Sequence, residues 1–372
     1  MINIKYDSEV IYPYTYDSSN LRGSADLLLI PKSIDELSES LKYCFDNNIK
    51  VTISGAGTGI TGARVPFGGA IISTERYKHI EISEDLNFVK CGSAVTLKEL
   101  EDYLEQFNRF LPPNPTEYNA SIGGNTATNA SGARTFKYGA IRQYINSLTI
   151  VLMNGDILYL TRGQNFVNDN NATIISTNGN NYNFNIPNYQ MPNIKNASGY
   201  YVRENMDVID LFIGSEGTLG VFYEIVLKVL PRPEYILGGV IYFDDSNKLY
   251  EFVSNLRNLS RRDNSIINSR LIEYFDRKSL DLLKPKYNEI PDLAVGAIWF
   301  EQEYSNENEE ILLESWYEFI SNFTTLIDNT WFAMNSKEHE RLKEFRHELP
   351  LQVYENLTNN SQKKVGLGHS SP

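Results

Sequence analysis

Four glycines within eight positions, Gly55, Gly57, Gly59 and Gly62, follow the short apolar run Ile49 to Ile53, in the segment Ser-Gly-Ala-Gly-Thr-Gly-Ile-Thr-Gly-Ala-Arg-Val-Pro over 54 to 66. Losing four Cβ atoms lets the backbone take positive φ and press its N–H groups against an anion. Thr58 and Thr61 add hydroxyl donors. The segment therefore reads as a phosphate-holding loop. No Gly-Lys-Ser/Thr follows it and the glycine spacing is not the dinucleotide fingerprint. Taken alone, a tight turn after a strand explains the loop as well.

The surroundings are strands. Leu27 to Ile30 and Lys50 to Ile53 flank an amphipathic helix, Ser33 to Asn47, with Ser33 as N-cap and Glu36 closing a capping box, and Ala70 to Ser73 forms the next strand. Phe88 to Cys91 and Ala94-Val95 read as strands, and Leu97 to Phe107 as a helix capped by Thr96 with Glu99 three residues on. Asn154-Gly155 predicts a type I′ hairpin turn between Thr149–Leu152 and Ile157–Leu160. Strands are also expected at Leu211 to Ile213 and Val221 to Val229, and the Asn-rich stretch 165 to 185 reads as loop.

At 372 residues with 41% apolar and 12% aromatic content the chain has material for two cores, and Pro231-Arg232-Pro233 punctuates it before the apolar Ile236 to Phe243. A net charge of −13 excludes nucleic acid as a partner, since phosphate neutralisation needs clustered Lys and Arg. Cys44 and Cys91 are too few for a disulfide framework or a thiolate metal site, and no metal is expected. The absence of a long apolar run predicts no membrane span and a cytoplasmic location.

Three further segments change the meaning of the first loop. Pro112 to Thr116 with Ser121 to Gly132 is small, polar and backbone-exposing; Gly123-Gly124 permits close approach to a flat ligand, and Asn125, Thr128, Asn129 and Ser131 supply neutral donors and acceptors. Lys195 to Tyr200 and Gly214 to Val221 complete the set. Four such segments around one sheet point to a large ligand.

In their order and spacing these segments resemble the flavin-binding domain of the FAD-linked oxidases, the fold of vanillyl-alcohol oxidase and p-cresol methylhydroxylase, and within it the D-lactate and glycolate dehydrogenase branch. The matching motifs are Gly-Ala-Gly-Thr-Gly-Ile-Thr-Gly at 55 to 62, Gly-Gly-Asn at 123 to 125, Asn-Ala-Ser-Gly at 129 to 132, Lys-Tyr-Gly at 137 to 139 and Gly-Ser-Glu-Gly-Thr-Leu-Gly at 214 to 220, within residues 10 to 233. The resemblance implies an α+β chain: a two-lobed p-cresol methylhydroxylase type FAD-binding domain over 1–235, then an α/β substrate or cap domain over 236–372, shortened at its C-terminus relative to the family. It implies FAD wrapped by Ser54, Gly55, Ala56, Gly57, Thr58, Gly59, Thr61 and Gly62. Pro113, Thr116, Gly123, Gly124, Asn125, Thr128, Asn129, Ser131 and Gly132 would line the flavin, with Glu216, Gly217, Gly220 and Val221 along it. The loop offers no His for attachment, so non-covalent binding is expected.

For the cap, the resemblance marks Arg346, in Lys343 to Glu348, as the fork for a substrate carboxylate, while a helix-surface Arg paired with Glu344 or Glu348 accounts for it equally. The family's His- and metal-bearing segment has no counterpart before Pro372, where Gly368, Ser370 and Ser371 also depart from its pattern. A shortened relative and a compact member using other groups are both open. Of His79, His339, His347 and His369, the latter two are the candidate bases, and His79 and His339 read as surface residues. The implied activity is hydride transfer from a 2-hydroxy acid such as lactate or glycolate to FAD, with a quinone, cytochrome or partner subunit as electron acceptor and oligomeric state open. A flavin-binding subunit of a larger complex and a same-fold oxidase acting on an alcohol or polyol are the alternatives.

Overall fold

The computed structural model describes residues 2–19, 21–113, 115–192 and 198–359. They divide into two units: one holds the described residues of Met1–Ala130 and Ala140–Pro231, the other Ser131–Gly139 and those from Arg232 on.

The first unit is built on Leu27–Leu29, all three buried, as strands covered on both faces must be. This strand pairs in parallel with Ala70–Ser73, which pairs in parallel with Val51–Ser54, while Ile4–Lys5 adds an antiparallel edge. Helix Ile34–Asp46 crosses over between the two outer parallel strands and buries Leu37, Leu41 and Cys44 against Leu27, Leu29, Ala70 and Ile72. Its Ser33 hydroxyl accepts from the Glu36 N–H, but the expected box stays half-built, because the Glu36 carboxylate accepts from the Lys32 N–H instead.

A five-stranded antiparallel sheet follows, in the order Ile80–Ile82, Phe88–Gly92, Val221–Lys228, Ile145–Val151, Ile157–Thr161. Val151 and Val221 of this sheet join the core under the first one. Helix Leu97–Glu105 begins with a complete Thr96/Glu99 capping box and buries Leu97, Leu100 and Leu104.

Several expected elements differ. Ala94-Val95 is a turn, since the Val95 N–H closes back on the Gly92 carbonyl. Ile209–Phe212 is a helical turn rather than a strand; a run of buried apolar residues has no periodicity to separate the two. The hairpin at 154–155 is not type I′: the Gly155 N–H bonds to the Leu152 carbonyl and only Gly155 takes positive φ, which makes a longer loop with glycine in the left-handed position. The Asn-rich stretch contains a hairpin, Asn171–Ile175 with Asn181–Asn185, whose alternation buries Ala172 and Ile174.

The second unit is an antiparallel sheet ordered Ser269–Asp276, Gly296–Tyr304, Tyr235–Phe243, Trp331–Ala333. Alternate residues serve two cores. Leu237, Ile241, Phe243, Ile298 and Phe300 pack on helices Ser246–Ser260 and Glu309–Ser321 through Phe252 and Trp316. Val240, Tyr242, Ala297 and Trp299 pack on Arg277–Leu283 and Ser336–Asn359 through Leu280, Leu342 and Phe345. Among the described residues no helix is long and apolar enough to cross a membrane.

Candidate cofactor site

The glycine loop leaves strand Val51–Ser54 and is held from one side by the segment around Pro13 to Ser19. Arg64 is the clamp: its guanidinium donates to the carbonyls of Tyr16 at 3.1 Å, Gly55 at 2.9 Å and Pro13 at 2.8 Å. Ser18 donates its backbone N–H to the Gly57 carbonyl at 3.2 Å. With the Gly55 and Gly57 carbonyls turned to this brace, planarity of the peptide turns the N–H groups of Ala56 and Thr58 the opposite way. The N–H groups of residues 56–62 donate to no acceptor among the described residues. Gly57 sits at φ +76°, where a Cβ would stand 2.5 Å from the Arg64 guanidinium carbon. The loop thus leaves a run of backbone donors unused by the described protein, the arrangement an anion needs.

The other segments are joined to it. Ser121 is the N-cap of helix Ile122–Ala127, accepting from the Gly124 N–H, and its hydroxyl lies 3.1 Å from where a Gly55 Cβ would be. The segment is a short helix, with Gly123 pressed against Ser93 and donating to its carbonyl at 2.9 Å. From the other end of that helix, the Thr126 and Ala127 carbonyls accept from the N–H groups of Gly214 and Glu216. Gly217 passes the side chain of Ile53 at van der Waals distance, and Val221 opens the strand paired with Val151. Ser54 and Gly55, the helix and Gly214 to Val221 thus meet in one unit. Buried polar atoms on these segments, Ser54 Oγ, Asn125 Nδ2, Thr126 Oγ1 and Ser215 Oγ, have no hydrogen-bond partner among the described residues.

Other candidate residues are differently employed. Thr128 Oγ1 bonds back to the Gly124 carbonyl, and Asn129 Oδ1 accepts from the Arg142 N–H. Pro113 is buried and Thr116 half-buried. Thr61, Ala56 and Gly59 are exposed, and Glu216 is exposed at positive φ. Ser131 and Gly132 belong to the second unit, where the Thr135 hydroxyl accepts from the Gly132 N–H. Lys195 to Ala197 lie outside the described residues, and Tyr200 bonds Thr218 through their hydroxyls at 2.7 Å.

Two charged networks had no local signal in the sequence. Arg142 donates to the carbonyls of Asp210 and Ile213, both at 2.5 Å, pairs with the Asp210 carboxylate at 3.1 Å and lies 4.1 Å from the Tyr201 ring centroid. Arg162 pairs with the same carboxylate at 3.0 Å. Burial lowers the Arg142 pKa and Asp210 opposes that shift. Together they fix the approach to Gly214. In the second unit, fully buried Arg270 bonds Glu301 at 2.5 and 2.8 Å and Glu303 at 3.4 Å. Lys137 and Tyr138 bond Glu303, so the Lys-Tyr-Gly motif is tied to strand Gly296–Tyr304. Burial pushes both glutamates up, but Arg270 and Arg134 around Glu301, and Lys137 and Tyr138 around Glu303, outweigh it and hold them below the ordinary range.

Arg346 does not pair with Glu344 or Glu348. It is buried and donates bidentately to Glu273, over the face of Trp299; Glu348 takes Lys286. His347 is half-buried beside it, and His369 lies outside the described residues. His79 pairs with Glu224, and His339 bonds the Ile236 carbonyl. Among the described residues no group of three His, Cys, Asp or Glu could hold a metal ion.

Residues 25–161 match the family model described as an FAD binding domain. These residues form an FAD-binding domain. Its flavin domain is similar to D-lactate dehydrogenase of Anaerostipes hadrus, 34% identical over 241 residues, 64% of this chain and 43% of that protein. It is also similar to the glycolate oxidase subunit GlcD of Bacillus subtilis, 29% identical over 225 residues, 59% of this chain and 40% of that one. The matched part spans less than half the length of each of these relatives. Alkyldihydroxyacetonephosphate synthase shares the fold, with a TM-score of 0.65 at 17% identity over 93% of this chain and 65% of that one. FAD is the cofactor of this flavin domain, and the open N–H row suits its diphosphate.

Proposed function

We propose that this FAD-linked oxidase oxidises a small 2-hydroxy acid of the D-lactate or glycolate type. The observation that carries the flavoprotein part is the row of backbone donors over 56–62, backed by Arg64 and adjoined by helix Ile122–Ala127. The substrate class rests on the names of the relatives, D-lactate dehydrogenase and glycolate oxidase subunit GlcD. Residues 54–62 would hold the diphosphate, and Gly123, Gly124, Asn125 and Gly217 would lie along the rest of the cofactor. When bound, FAD supplies the acceptor for a hydride from the substrate C2. Arg346 is the proposed fork for the substrate carboxylate, and His347 or His369 the proposed base for the hydroxyl proton. A quinone, a cytochrome or a partner subunit would then take the electrons. Non-covalent attachment would release a free yellow chromophore on acid denaturation; colour that stays with the precipitate would refute it.

A second reading, a flavin-binding subunit with little activity alone, is favoured by one observation: the Arg346 fork already holds the Glu273 carboxylate. Anaerobic titration of the flavin-loaded protein with lactate, glycolate and an alditol, followed by flavin absorbance, separates the readings. Bleaching by an acid supports the proposal. Bleaching by the alditol alone moves the substrate class, and an unbleached flavin favours the subunit. A chain that takes up no FAD would overturn the flavoprotein reading itself.

A further inference from the structure

Asp17 lies in the segment that braces the glycine loop, and its side chain is almost wholly buried, at 6% exposure. One carboxylate oxygen is spoken for: Oδ1 accepts from the Ser19 N–H at 2.9 Å and from the Ser19 hydroxyl. The other has nothing. Oδ2 is buried without a hydrogen-bond partner among the described residues, and it stands 3.9 Å from where a Cβ of Gly59 would be. A buried carboxylate oxygen left unmatched is costly, and a native fold seldom keeps one without a use.

Beside it lies the complementary deficit. Gly59 and its neighbours carry backbone N–H groups that find no acceptor among the described residues. The unmatched carboxylate oxygen and the unmatched stretch of loop are thus neighbours, with Oδ2 in van der Waals range of the Gly59 Cβ position. A carboxylate this close to a diphosphate site is electrostatically unfavourable unless it is matched by donors or a cation. Arg64, whose interaction with Asp17 raises the arginine's pKa against the effect of burial, supplies part of that match.

We propose that Asp17 is a positioning residue for the diphosphate loop. When the cofactor's diphosphate takes the outward N–H groups, the Gly59 stretch closes on Asp17 Oδ2, and the loop is gripped from both sides. The carboxylate touches no part of the ligand; its Oδ2 has no accessible surface, and it acts through the backbone of the loop. The inference rests on the flavoprotein reading and adds a bond that forms only when FAD is bound.

The consequence has opposite signs in the two states. Asp17→Asn keeps the acceptor facing Ser19, removes the unmatched buried charge, and puts an amide donor where the loop needs an acceptor. The cofactor-free variant is expected to melt at or above the wild-type temperature, while its affinity for FAD and for ADP, which carries the diphosphate without the flavin, falls by about tenfold or more, the worth of a hydrogen bond to a charged group. Asp17→Ala should bind both equally poorly. Isothermal titration with FAD and ADP, together with thermal melts of the cofactor-free chains, reads all of this. Wild-type affinities in Asp17→Asn, or a fall in apo stability parallel to the fall in affinity, would overturn the proposal, the latter because it marks a purely structural residue. If the wild-type chain itself binds no FAD, the fault lies with the flavoprotein reading, so the two failures are distinguishable.

Discussion

Arg346 and Glu273 face each other through a two-pronged ion pair, Nε to Oε2 at 2.7 Å and Nη2 to Oε1 at 3.3 Å, with the guanidinium carbon 5.5 Å from the centroid of Trp299. The geometry is the one a guanidinium adopts toward a substrate carboxylate, here with a protein carboxylate in that place. On the proposed reading of Arg346 as the substrate fork, a substrate acid must displace Glu273 or share the fork with it.

This makes the two residues separable. Glu273→Gln and Arg346→Met should each lower stability by about 1–3 kcal/mol, discounted for the partial exposure of Glu273, and should couple in a double-mutant cycle by denaturant unfolding. On the 2-hydroxy acid reading only Arg346→Met abolishes flavin bleaching, whereas Glu273→Gln leaves a charged fork and retains it. Equal loss in both would show that the pair is needed only as a brace.

Gly57 and Gly68 provide a matched comparison, since both adopt positive φ, +76° and +84°. A Cβ on Gly57 would collide with the Arg64 guanidinium, and a Cβ on Gly68 would meet nothing within 4 Å. Gly68→Ala should cost about 1 kcal/mol, the backbone term alone, with FAD affinity unchanged. Gly57→Ala should cost more and weaken FAD binding by at least about tenfold, because displacing Arg64 releases the Gly55 carbonyl and unsettles the donor row. Melting curves and FAD titrations of both variants test this; equal effects would mean that the loop tolerates the displaced arginine.

What was legible in the sequence was local. Gly55 to Gly62 announce themselves because glycine content is itself the signal, and Thr96 with Glu99 forms the expected capping box because the box is a three-residue interaction. The pairs that shape the site have no such proximity. Arg142 reaches Asp210 across 68 residues and Arg346 reaches Glu273 across 73, so nothing near either arginine names its partner. The local alternatives for Arg346, Glu344 and Glu348, fail because its side chain points to the sheet while Glu348 takes Lys286. Ser131 to Gly139, with the Lys-Tyr-Gly motif and the end of Asn-Ala-Ser-Gly, groups with the second unit, where Arg134 pairs with Glu301 and Lys137 and Tyr138 bond Glu303, more than 160 residues later.

Arg142 is the residue whose loss should loosen the approach to Gly214 most. It satisfies two carbonyls and shares Asp210 with Arg162. Arg142→Met leaves those two carbonyls unmatched and leaves the Asp210 carboxylate to Arg162 alone, a loss of about 3 kcal/mol or more. Arg142→Lys should recover little, since one ammonium cannot reproduce a fork that serves two carbonyls and a carboxylate. Amide hydrogen exchange should rise across 209–216 in both variants while helix Ile34–Asp46, in a different part of the same unit, is unchanged. Protection that stays at the wild-type level in 209–216 would refute the assignment.

The Arg270 cluster predicts a pH dependence with a definite sign. Glu301 and Glu303 have folded pKa values below the ordinary 4.5, so the stability they contribute is in full force above that value and is lost as pH falls through the lower folded values. In Arg270→Met, burial of Glu301 is no longer outweighed by its nearest cation, and its folded pKa moves up; the variant holds a poorly paired buried carboxylate at neutral pH and is relieved when that carboxylate takes a proton. Wild type should therefore exceed Arg270→Met by about 3–5 kcal/mol near neutrality, and the gap should narrow as pH is lowered toward and below 4.5. Urea unfolding of both proteins across that range measures the gap directly. A gap that stays constant with pH would show that Arg270 contributes by packing alone, and that the carboxylates around it are not ionised on its account.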